Sequence, residues 1–458
     1  MFVESFVVAG LGHSSYMVGR ESSHDVLVVD PKRDVQDYLD AADRRGARIT
    51  HVLETHNHND FVSGSYELAH ITGAQVCAAA DSGIQYEFRG LREGQTFSVA
   101  GIDFAVLATP GHTPEHISFL ARDGGQTALF SGGSLLVGTA GRTDLLGWEL
   151  ADPLARLLYH SIQDKIARLS DDVELYPTHG AGSFCGSGNL NSRRSSTIGA
   201  ERISNPAMAA QSEDQFVAAQ LGQLGPFPTY YNYMRTINQA GPRPLGRLPD
   251  PHPLSVERAK ELLDGGRLVV DGREPRDFAP LHIKGAFNIA LSDEAFAPWV
   301  GWVTPFNSPL LLVLAHEEHD WPEASTSLLR IGYEQVDGYL AGGVQAWQQA
   351  GLPVQQMAQI RAEELQARLE ADPDLTLLDV RDDKEWAAGH LPQALHIEAG
   401  KLEQRLTELP RERPIVTLCA AGFRSSIAAS ILQRAGFPEV YSTLGGMDNI
   451  EHKHEHEA

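Results

Sequence analysis

The sequence predicts a multidomain α/β protein, and its length, a proline-rich linker and an internal repeat are the observations that predict it. A chain of 458 residues exceeds what one core ordinarily organises and suggests about three domains. The stretch GPRPLGRLPDPHP, Gly241–Pro253, carries five prolines and no apolar periodicity, which is typical of a stiff linker. We therefore expect domains over residues 1–240, 254–350 and 360–450.

The second and third of these domains are repeats of each other. LVVDGREPRDFAPLHIKGAFNIAL, from Leu268, aligns with LLDVRDDKEWAAGHLPQALHI, from Leu377. One offset pairs Asp271 with Asp379, Arg273 with Arg381, Asp277 with Glu385, and His282 with His390. Short apolar strands separated by helical stretches predict a parallel sheet with crossover helices in each repeat.

Composition and charge exclude several classes of function. The net charge of −23 argues against nucleic acid or an anionic membrane as partner. Three cysteines cannot form a disulfide framework and fit a reducing compartment. The N-terminal stretch has no basic region of a signal peptide, and no apolar run reaches the length of a membrane span. We expect a cytoplasmic protein, and a homo-oligomer is compatible with the sequence.

The stretch PIVTLCAAGFRSS predicts a reactive cysteine. An apolar strand, Ile415–Leu418, leads to Cys419, and a helix is expected to begin near Ser425. Backbone N–H groups of the loop, the helix N-terminus and Arg424 would favour an anion at the sulfur. We predict catalytic roles for Cys419 and Arg424, within a persulfide loop of Ala420, Ala421, Gly422, Phe423 and Ser425. The alternative is a buried, inert thiol at a strand end.

A second cluster of chemistry lies in the N-terminal domain. His56 and His58 in LETHNHND point to one side of an extended segment and can share a metal ion, and Asp60 lies on the same side. His112 and His179 each follow another predicted strand. A single loop histidine is ordinarily a hydrogen-bonded structural residue, but several at neighbouring strand ends predict a metal site.

Residues 360–450 resemble a rhodanese (sulfurtransferase) domain, with Cys419 at the position of the persulfide-carrying nucleophile. Residues 254–350 resemble a rhodanese too, but their loop has lost the sulfur carrier. Ala315 stands at the cysteine position, Glu318 at that of Gly422, and Asp320 at that of Arg424. We expect a structural or docking module; the alternative is a metal site on His316, Glu317 and His319.

The order H-x-H-x-D, G-H-T-P, S-G-G and Y-P-x-H-G along residues 1–240 resembles the metallo-β-lactamase fold, an αββα sandwich. The whole chain resembles persulfide dioxygenase–sulfurtransferase fusions with two rhodanese modules. This resemblance implies one Fe(II) held by two histidines and an aspartate. It also implies oxidation of a low-molecular-weight thiol persulfide by O₂ to sulfite and free thiol.

The chain departs from that family pattern at two positions. Gly133 in FSGGSL stands where the family carries its aspartate ligand, and Phe61 stands where a second-metal histidine is expected. We therefore predict one mononuclear site on His56, His58 and His112, with Fe(II) as the metal and zinc as the alternative. The coordination position that Gly133 leaves vacant would be filled by water, by an anionic substrate, or by a nearby carboxylate, either that of Asp60 or that of Glu115.

Four further residues are predicted to support the metal or contact the substrate: Asp60, His179, Arg142 and Cys185. Arg142 could pair with a substrate carboxylate, and Cys185 could relay sulfur or pack as a small buried residue. Cys77 is expected in the core. The tail EHKHEHEA, residues 451–458, is expected to be a disordered polar end.

These features together predict that a thiol persulfide is oxidised to sulfite, and that Cys419 transfers sulfane sulfur to the sulfite to give thiosulfate. The expected partners are therefore a small-molecule thiol persulfide, O₂, sulfite and thiosulfate. Two alternatives stay open. One is a zinc glyoxalase II-like thioesterase, and the other is a metal-free scaffold domain fused to an active sulfurtransferase.

Overall fold

The computed structural model, which describes residues 1–186 and 192–450, divides the chain into two units. One comprises Met1–Leu248 with Leu329–Gly332, and the other contains the remaining chain from Pro249 onward. The predicted polar tail, residues 451–458, lies outside the described residues. Within the described ranges no helix is long and apolar enough to cross a membrane.

The N-terminal unit contains two six-stranded sheets. The first has the order β1-β2-β3-β4-β5-β6, with strands β1 Phe2–Val8, β2 His13–Gly19, β3 Asp25–Val29, β4 Arg48–Leu53, β5 Gln75–Ala79 and β6 Arg89–Leu91. The second contains β7 Thr96–Val99, β8 Ile102–Ala108, β9 Ile117–Asp123, β10 Gln126–Gly132, β13 Glu174–Pro177 and β14 Ser196–Thr197. Its order is β14-β13-β10-β9-β8-β7, and a short hairpin pairs β11 Leu135–Leu136 with β12 Thr139–Ala140.

In the described part of this unit, seven α-helices accompany the sheets: α1 Gln36–Arg44, α2 Ser65–Thr72, α3 Trp148–His160, α4 Ile198–Ser204, α5 Pro206–Ala209, α6 Glu213–Leu221 and α7 Tyr231–Ala240. A π-helical turn, Ser161–Lys165, continues α3. Helix α1 packs its buried Tyr38 and Ala41 on the outer face of the first sheet. Helix α3 packs Ala155 and Leu158 on the outer face of the second.

The main core of this unit lies between the two sheets. Alternate residues of β8, Ile102, Phe104 and Val106, are buried there, as expected for a strand with one face in a core. Tyr16 of the first sheet and Phe130 of the second belong to the same cluster. Helix, sheet, sheet and helix thus form the αββα sandwich, which confirms the predicted fold class of this part of the chain.

The second unit contains two five-stranded parallel sheets with one topology. The first has the order β15-β20-β19-β16-β18, with β15 Pro253–Leu254, β16 Leu268–Asp271, β18 Phe287–Asn288, β19 Leu310–Val313 and β20 Val336–Leu340. The second has the order β22-β26-β25-β23-β24, with β22 Ala358–Arg361, β23 Thr376–Asp379, β24 Leu395–His396, β25 Ile415–Leu418 and β26 Val440–Leu444. A separate hairpin pairs β17 His282–Ile283 with β21 Val354–Gln355.

The helices of this unit cross over between the parallel strands. Those of the middle domain are α8 Val256–Asp264, α9 Pro275–Phe278, α10 Phe296–Val303, α11 Glu317–Arg330 and α12 Gly343–Gln349. Those of the C-terminal domain are α13 Ala362–Ala371, α14 Asp383–Ala388 and α15 Phe423–Arg434, with a 3₁₀ segment at Ala399–Glu408. Parallel strands joined by crossover helices confirm the predicted α/β fold class of this part of the chain.

The repeat extends to individual side chains. Arg273 binds the Asp271 carboxylate through two nitrogens, and Arg381 binds Asp379 in the same way. Each arginine also donates to a backbone carbonyl eight residues further along the chain. The buried pairs follow β16 and β23, so they fix the same turn in both domains.

Candidate metal centre and cysteine loop

The predicted metal-binding residues lie on loops that follow strands of the N-terminal sandwich. His56 follows β4, His112 lies between β8 and β9, and His179 follows β13. All three are buried, and each offers one nitrogen such that the three atoms lie within 4.8 Å of one another. The Nε2 atoms of His56 and His179 are 3.3 Å apart.

The hydrogen bonds around His56 place its proton on Nδ1. That atom lies 2.8 Å from Thr55 Oγ1, and the Thr55 hydroxyl donates to Asp30 Oδ2 at 2.7 Å. Since the hydroxyl proton is used by Asp30, Thr55 accepts from His56, and the Nε2 lone pair of His56 points inward. Asp30 also accepts the Thr55 N–H and the Thr178 hydroxyl, so it ties the loops carrying His56 and His179 together.

The other two histidines have the same protonation. His112 Nδ1 lies 2.7 Å from the carbonyl of Arg142, so Nδ1 donates and the buried Nε2 has no hydrogen-bond partner. His179 Nδ1 lies 3.1 Å from Asp60 Oδ2, which favours a proton on that nitrogen. All three Nε2 lone pairs therefore converge, with outer partners of the kind that orient metal-bound histidines.

Electrostatics keep His56 and His112 neutral. Burial, together with the neighbouring histidines, lowers the pKa of His56 and of His112 well below the usual value. Facing lone pairs repel one another unless a cation lies between them, and neutral imidazole is the commonest protein ligand for such cations. The residues present therefore fit a single metal ion.

His58 occupies a different environment from the one predicted. Its Nε2 lies 2.9 Å from Glu54 Oε2 and 3.4 Å from Asp30 Oδ1. Burial disfavours a charge there, but Asp30 and Glu54 outweigh it and raise the pKa of His58 to about 10. Among the described residues, His56, His112 and His179 form one group of converging ligand atoms. His58 belongs to two neighbouring groups, one with Asp60 and His179 and one with Asp30 and Glu54.

Gly133 and Phe61 each occupy space that the family ligands would need. A Cβ at position 133 would lie 2.2 Å from His112 Cδ2, so no aspartate fits there with His112 in this position. The Gly133 N–H donates to His116 Nε2. Phe61 packs against His13 and His58, with ring centroids 4.0 and 4.3 Å apart. An apolar ring thus fills the expected place of a second-metal ligand.

The carboxylates predicted near the metal have different surroundings. Asp60 is fully buried beside His179, and its interactions with His179 and His58 lower its pKa although burial opposes this. Glu115 accepts hydrogen bonds from both terminal nitrogens of Arg235, and from the backbone and side chain of Asn57. Asp60 is therefore the carboxylate that lies against the histidine cluster.

Arg142 and Cys185 are both buried. Arg142 binds the Asp144 carboxylate through two nitrogens, donates to the carbonyls of Phe184 and Gly225, and stacks on Phe227. These contacts hold loops together. Burial raises the pKa of Cys185 well above the ordinary thiol value. Cys77 lies in the core between the sheets, as predicted.

Cys419 lies in an anion-binding loop at the end of β25. Its Sγ accepts the N–H of Gly422 at 3.0 Å and that of Ser425 at 3.3 Å. Helix α15 begins at Phe423, two residues before the predicted start, because Gly422 with φ 102° caps it in the left-handed region. Burial raises the pKa of the thiol, and Arg424 and the loop N–H groups oppose this.

Arg424 is held in place by the preceding helix. Its two terminal nitrogens lie 2.5 and 2.7 Å from the carboxylate oxygens of Glu385. Glu385 completes a capping box with Asp382 at the start of α14. The loop therefore has an electropositive rim formed by Arg424. Glu385, a residue of the repeat motif, fixes the position of that arginine.

The corresponding loop of the middle domain satisfies its own hydrogen bonds. The N–H of His316 donates to Asp320 Oδ2, and the Glu317 carboxylate accepts the N–H of Gly342. Ala315 is exposed, whereas Cys419 is buried. Carboxylates of the loop thus accept backbone N–H groups of this region.

Sequence reasoning missed Asp30 and Thr55, although both stand at strand ends beside the histidine motif. It also missed Asn288 of β18. Asn288 accepts the hydroxyl proton of Ser426 at 2.5 Å, and its N–H donates to Ser430 at 3.1 Å. Both serines belong to α15, so the middle domain contacts the helix that begins at the cysteine loop.

Comparisons with known proteins agree with these two kinds of site. The metallo-beta-lactamase superfamily matches residues 8–179, and the rhodanese-like domain matches residues 255–350 and 361–453. The mitochondrial persulfide dioxygenase of Homo sapiens is 29% identical over 206 residues, which cover 44% of this chain and 73% of that protein. A hydroxyacylglutathione hydrolase of Pseudomonas putida (strain GB-1) is 35% identical over 173 residues, 34% of this chain and 67% of that protein.

A solved structure is similar over most of the chain. The crystal structure of a metallo-beta-lactamase from Staphylococcus aureus subsp. aureus COL superposes with a TM-score of 0.67 at 30% identity. The match covers 74% of this chain and 98% of that one. Similarity of this extent includes the sandwich together with sequence that follows it.

Proposed function

The chain belongs to the metallo-beta-lactamase superfamily and carries two rhodanese-like domains after that fold, and from this premise we propose a sulfur-oxidising enzyme. The N-terminal domain oxidises a low-molecular-weight thiol persulfide with O₂ to sulfite and thiol. The C-terminal domain transfers sulfane sulfur through Cys419 to sulfite and gives thiosulfate. The observation that carries the proposal is the presence, in one chain, of three converging imidazole lone pairs and a thiol cradled by N–H donors.

In this proposal His56, His112 and His179 hold one metal ion, with Fe(II) as the favoured metal. Fe(II) bound there would supply the redox chemistry that O₂ needs. Asp30, through Thr55, and Asp60 keep Nδ1 of His56 and of His179 protonated. The burial of all three ligands excludes bulk water from them.

The sulfur-transfer half follows from the loop. The Cys419 thiolate attacks the outer sulfur of a second persulfide, the bond between the two persulfide sulfurs breaks, and the thiol leaves with the proton. Sulfite then attacks the outer sulfur on Cys419, and the bond to Sγ breaks. Thiosulfate leaves, and the N–H groups of Gly422 and Ser425 receive the regenerated thiolate.

A second candidate function for the N-terminal domain is hydrolysis of an S-acyl thiol. Three histidines without a carboxylate are a ligand set found in catalytic zinc sites, and Gly133 removes the carboxylate that the iron family uses. A hydroxyacylglutathione hydrolase is among the relatives of this chain. In this alternative the bound metal is zinc and O₂ is not consumed.

The test is O₂ uptake by anaerobically iron-loaded protein on addition of glutathione persulfide. The proposal predicts O₂ consumption that matches the sulfur oxyanions formed. No uptake, while the same protein still transfers sulfur from thiosulfate, would overturn the dioxygenase half. Zinc after purification, with cleavage of S-acyl glutathione under nitrogen, would establish the hydrolase. An absence of stoichiometric metal would indicate a scaffold domain.

A further inference from the structure

A cavity of about 410 Å³ opens beside the cysteine loop, and the cysteine-less domain forms one of its walls. The loop side consists of Ala421, Gly422 and Phe423, together with the chain after β26. The opposite side consists of residues that follow β16 and β18 in the middle domain. The volume lies in the range of small-molecule sites. A molecule bound there would lie against the loop that holds Cys419.

The middle-domain wall carries both signs of charge. Glu274 and Asp293 supply two carboxylates, and Arg276 supplies a guanidinium. The Ser292 hydroxyl donates to Glu274, and the N–H of Ala295 donates to Asp293 at 2.8 Å. These bonds hold both carboxylates in place without neutralising them. The Arg276 side chain is 76% exposed and lies 4.0 Å from the Asp277 carboxylate.

Asp293 also lies within electrostatic reach of the cysteine loop. Burial raises the pKa of the Asp293 carboxyl, Arg424 lowers it, and Glu274 raises it further. The charges of Glu274, Asp293 and Arg424 therefore all influence the electrostatic potential inside the cavity. A ligand in the cavity meets these charges before it reaches the sulfur.

This wall does not suit an inorganic sulfur dianion. Sulfite and thiosulfate have only a few heavy atoms and would leave most of the cavity unfilled. Their charge would face the carboxylates of Glu274 and Asp293. A zwitterion has the complementary pattern, because an ammonium group pairs with carboxylates and a carboxylate pairs with a guanidinium.

We propose that the cavity binds the amino-acid part of a low-molecular-weight thiol, so that the sulfur donor to Cys419 is an amino-acid-bearing thiol persulfide. Glu274 and Asp293 receive the ammonium group, and Arg276 receives a carboxylate. The cysteine-less domain thereby selects the substrate of its neighbour. This inference rests on the proposed function of Cys419 as a sulfur carrier.

The test compares two sulfur donors on the full-length protein, with cyanide as the common acceptor. Glutathione persulfide carries ammonium and carboxylate groups, and thiosulfate carries neither. We expect R276A, and separately the double variant E274Q/D293N, to raise KM for glutathione persulfide about tenfold, the effect of one lost charge-assisted contact. KM for thiosulfate should stay unchanged in R276A and fall in E274Q/D293N. The exposed pair of Arg258 with Glu261 on α8 provides the matched control R258A, which should change neither.

Equal effects on both donors, or no effect on glutathione persulfide, would overturn the inference. A persulfide without ammonium or carboxylate groups, such as that of 2-mercaptoethanol, should have a high KM that none of these variants alters. C419S should lose transfer from every donor. Wild-type protein that fails to transfer sulfur even from thiosulfate would sink the proposed role of Cys419 itself, and this inference with it.

Discussion

The histidine cluster of the N-terminal unit and the loop of the middle domain each lack a residue that their sequence pattern leads one to expect. Gly133 replaces a ligand in the first, and Ala315 replaces a nucleophile in the second. In the cluster, His179 directs a lone pair to the place where the other ligands converge. In the loop, no sulfur takes the place of the lost thiol. Its carboxylates accept hydrogen bonds from the N–H groups of His316 and Gly342.

The difference shows that the functional effect of a missing residue depends on whether neighbouring residues can supply the same atoms. A metal site depends on the number and direction of donor atoms, which a nearby loop can provide. A nucleophile depends on one atom, and no neighbour can substitute for it. The proposed metal site therefore survives its lost ligand, whereas the middle domain keeps its structural parts and the substrate-binding wall that we propose.

The largest expected effect separates the two rhodanese-like loops. Cys419→Ser should reduce sulfur transfer from thiosulfate to background, because no other sulfur lies in a comparable loop of the described residues. Ala315→Cys in the same background should restore nothing, since Glu318 and Asp320 would repel a thiolate. Both are measured by thiocyanate formation from thiosulfate and cyanide. Activity from the Ala315→Cys chain would contradict the comparison.

The next prediction concerns the ligand that replaces the lost one. His179→Ala should weaken metal binding about 100-fold or more, because even an outer contact to a ligand is worth 10- to 100-fold. His58→Gln should retain one metal ion per chain, since His58 pairs with Glu54 and Asp30. Titration with Co(II), followed by its visible spectrum, measures both. Metal retained in His179→Ala and lost in His58→Gln would restore the ligand set predicted from sequence.

A third prediction concerns the buried arginine–aspartate pair that the two rhodanese-like domains share. Arg273→Ala and Arg381→Ala each leave a buried aspartate without its partner. Each should lower the free energy of unfolding of its domain by about 3–5 kcal/mol. Urea denaturation followed by tryptophan fluorescence measures this. A large loss of unfolding free energy in only one of the two variants would show that the pair contributes differently to the stability of the two domains.

The smallest effect is a pH dependence confined to the active domain. Arg424 outweighs burial and lowers the pKa of Glu385 to about 2 from its ordinary value of 4.5. The folded state thus gains stability from ionised Glu385 above about pH 4.5, and this gain is lost as the pH falls toward 2. Glu385→Gln should flatten the melting temperature across that window, and the exposed counterpart Asp277→Asn should leave it unchanged. An identical pH profile for wild type and Glu385→Gln would contradict the account.

Much of the architecture could be predicted from sequence, because periodicity and repeats are local signals. The paired parallel sheets followed from strand patterns and from the offset that relates Asp271 to Asp379, whereas the αββα sandwich followed from the resemblance of the histidine motifs to a known family. The cysteine loop followed from the strand–loop–helix pattern around Cys419. Helix α15 begins two residues before Ser425, because Gly422 adopts a left-handed conformation at its N-terminus.

The ligand set could not be predicted from spacing. His56 and His58 are neighbours on one segment, so the pattern favoured both. Glu54 and Asp30 engage Nε2 of His58, and the sequence spacing gives no sign of these contacts. Contacts of this kind join residues far apart in sequence, and the same holds for the hydrogen bonds of Asn288 with α15.

The most direct test of the account is product analysis after glutathione persulfide and O₂ are supplied to iron-loaded wild type and to Cys419→Ser. We predict O₂ uptake by both proteins, thiosulfate from the wild type, and free sulfite from Cys419→Ser. Thiosulfate from Cys419→Ser at the wild-type rate would contradict the sequential use of the two sites. O₂ uptake by neither protein would contradict the proposed oxidation itself.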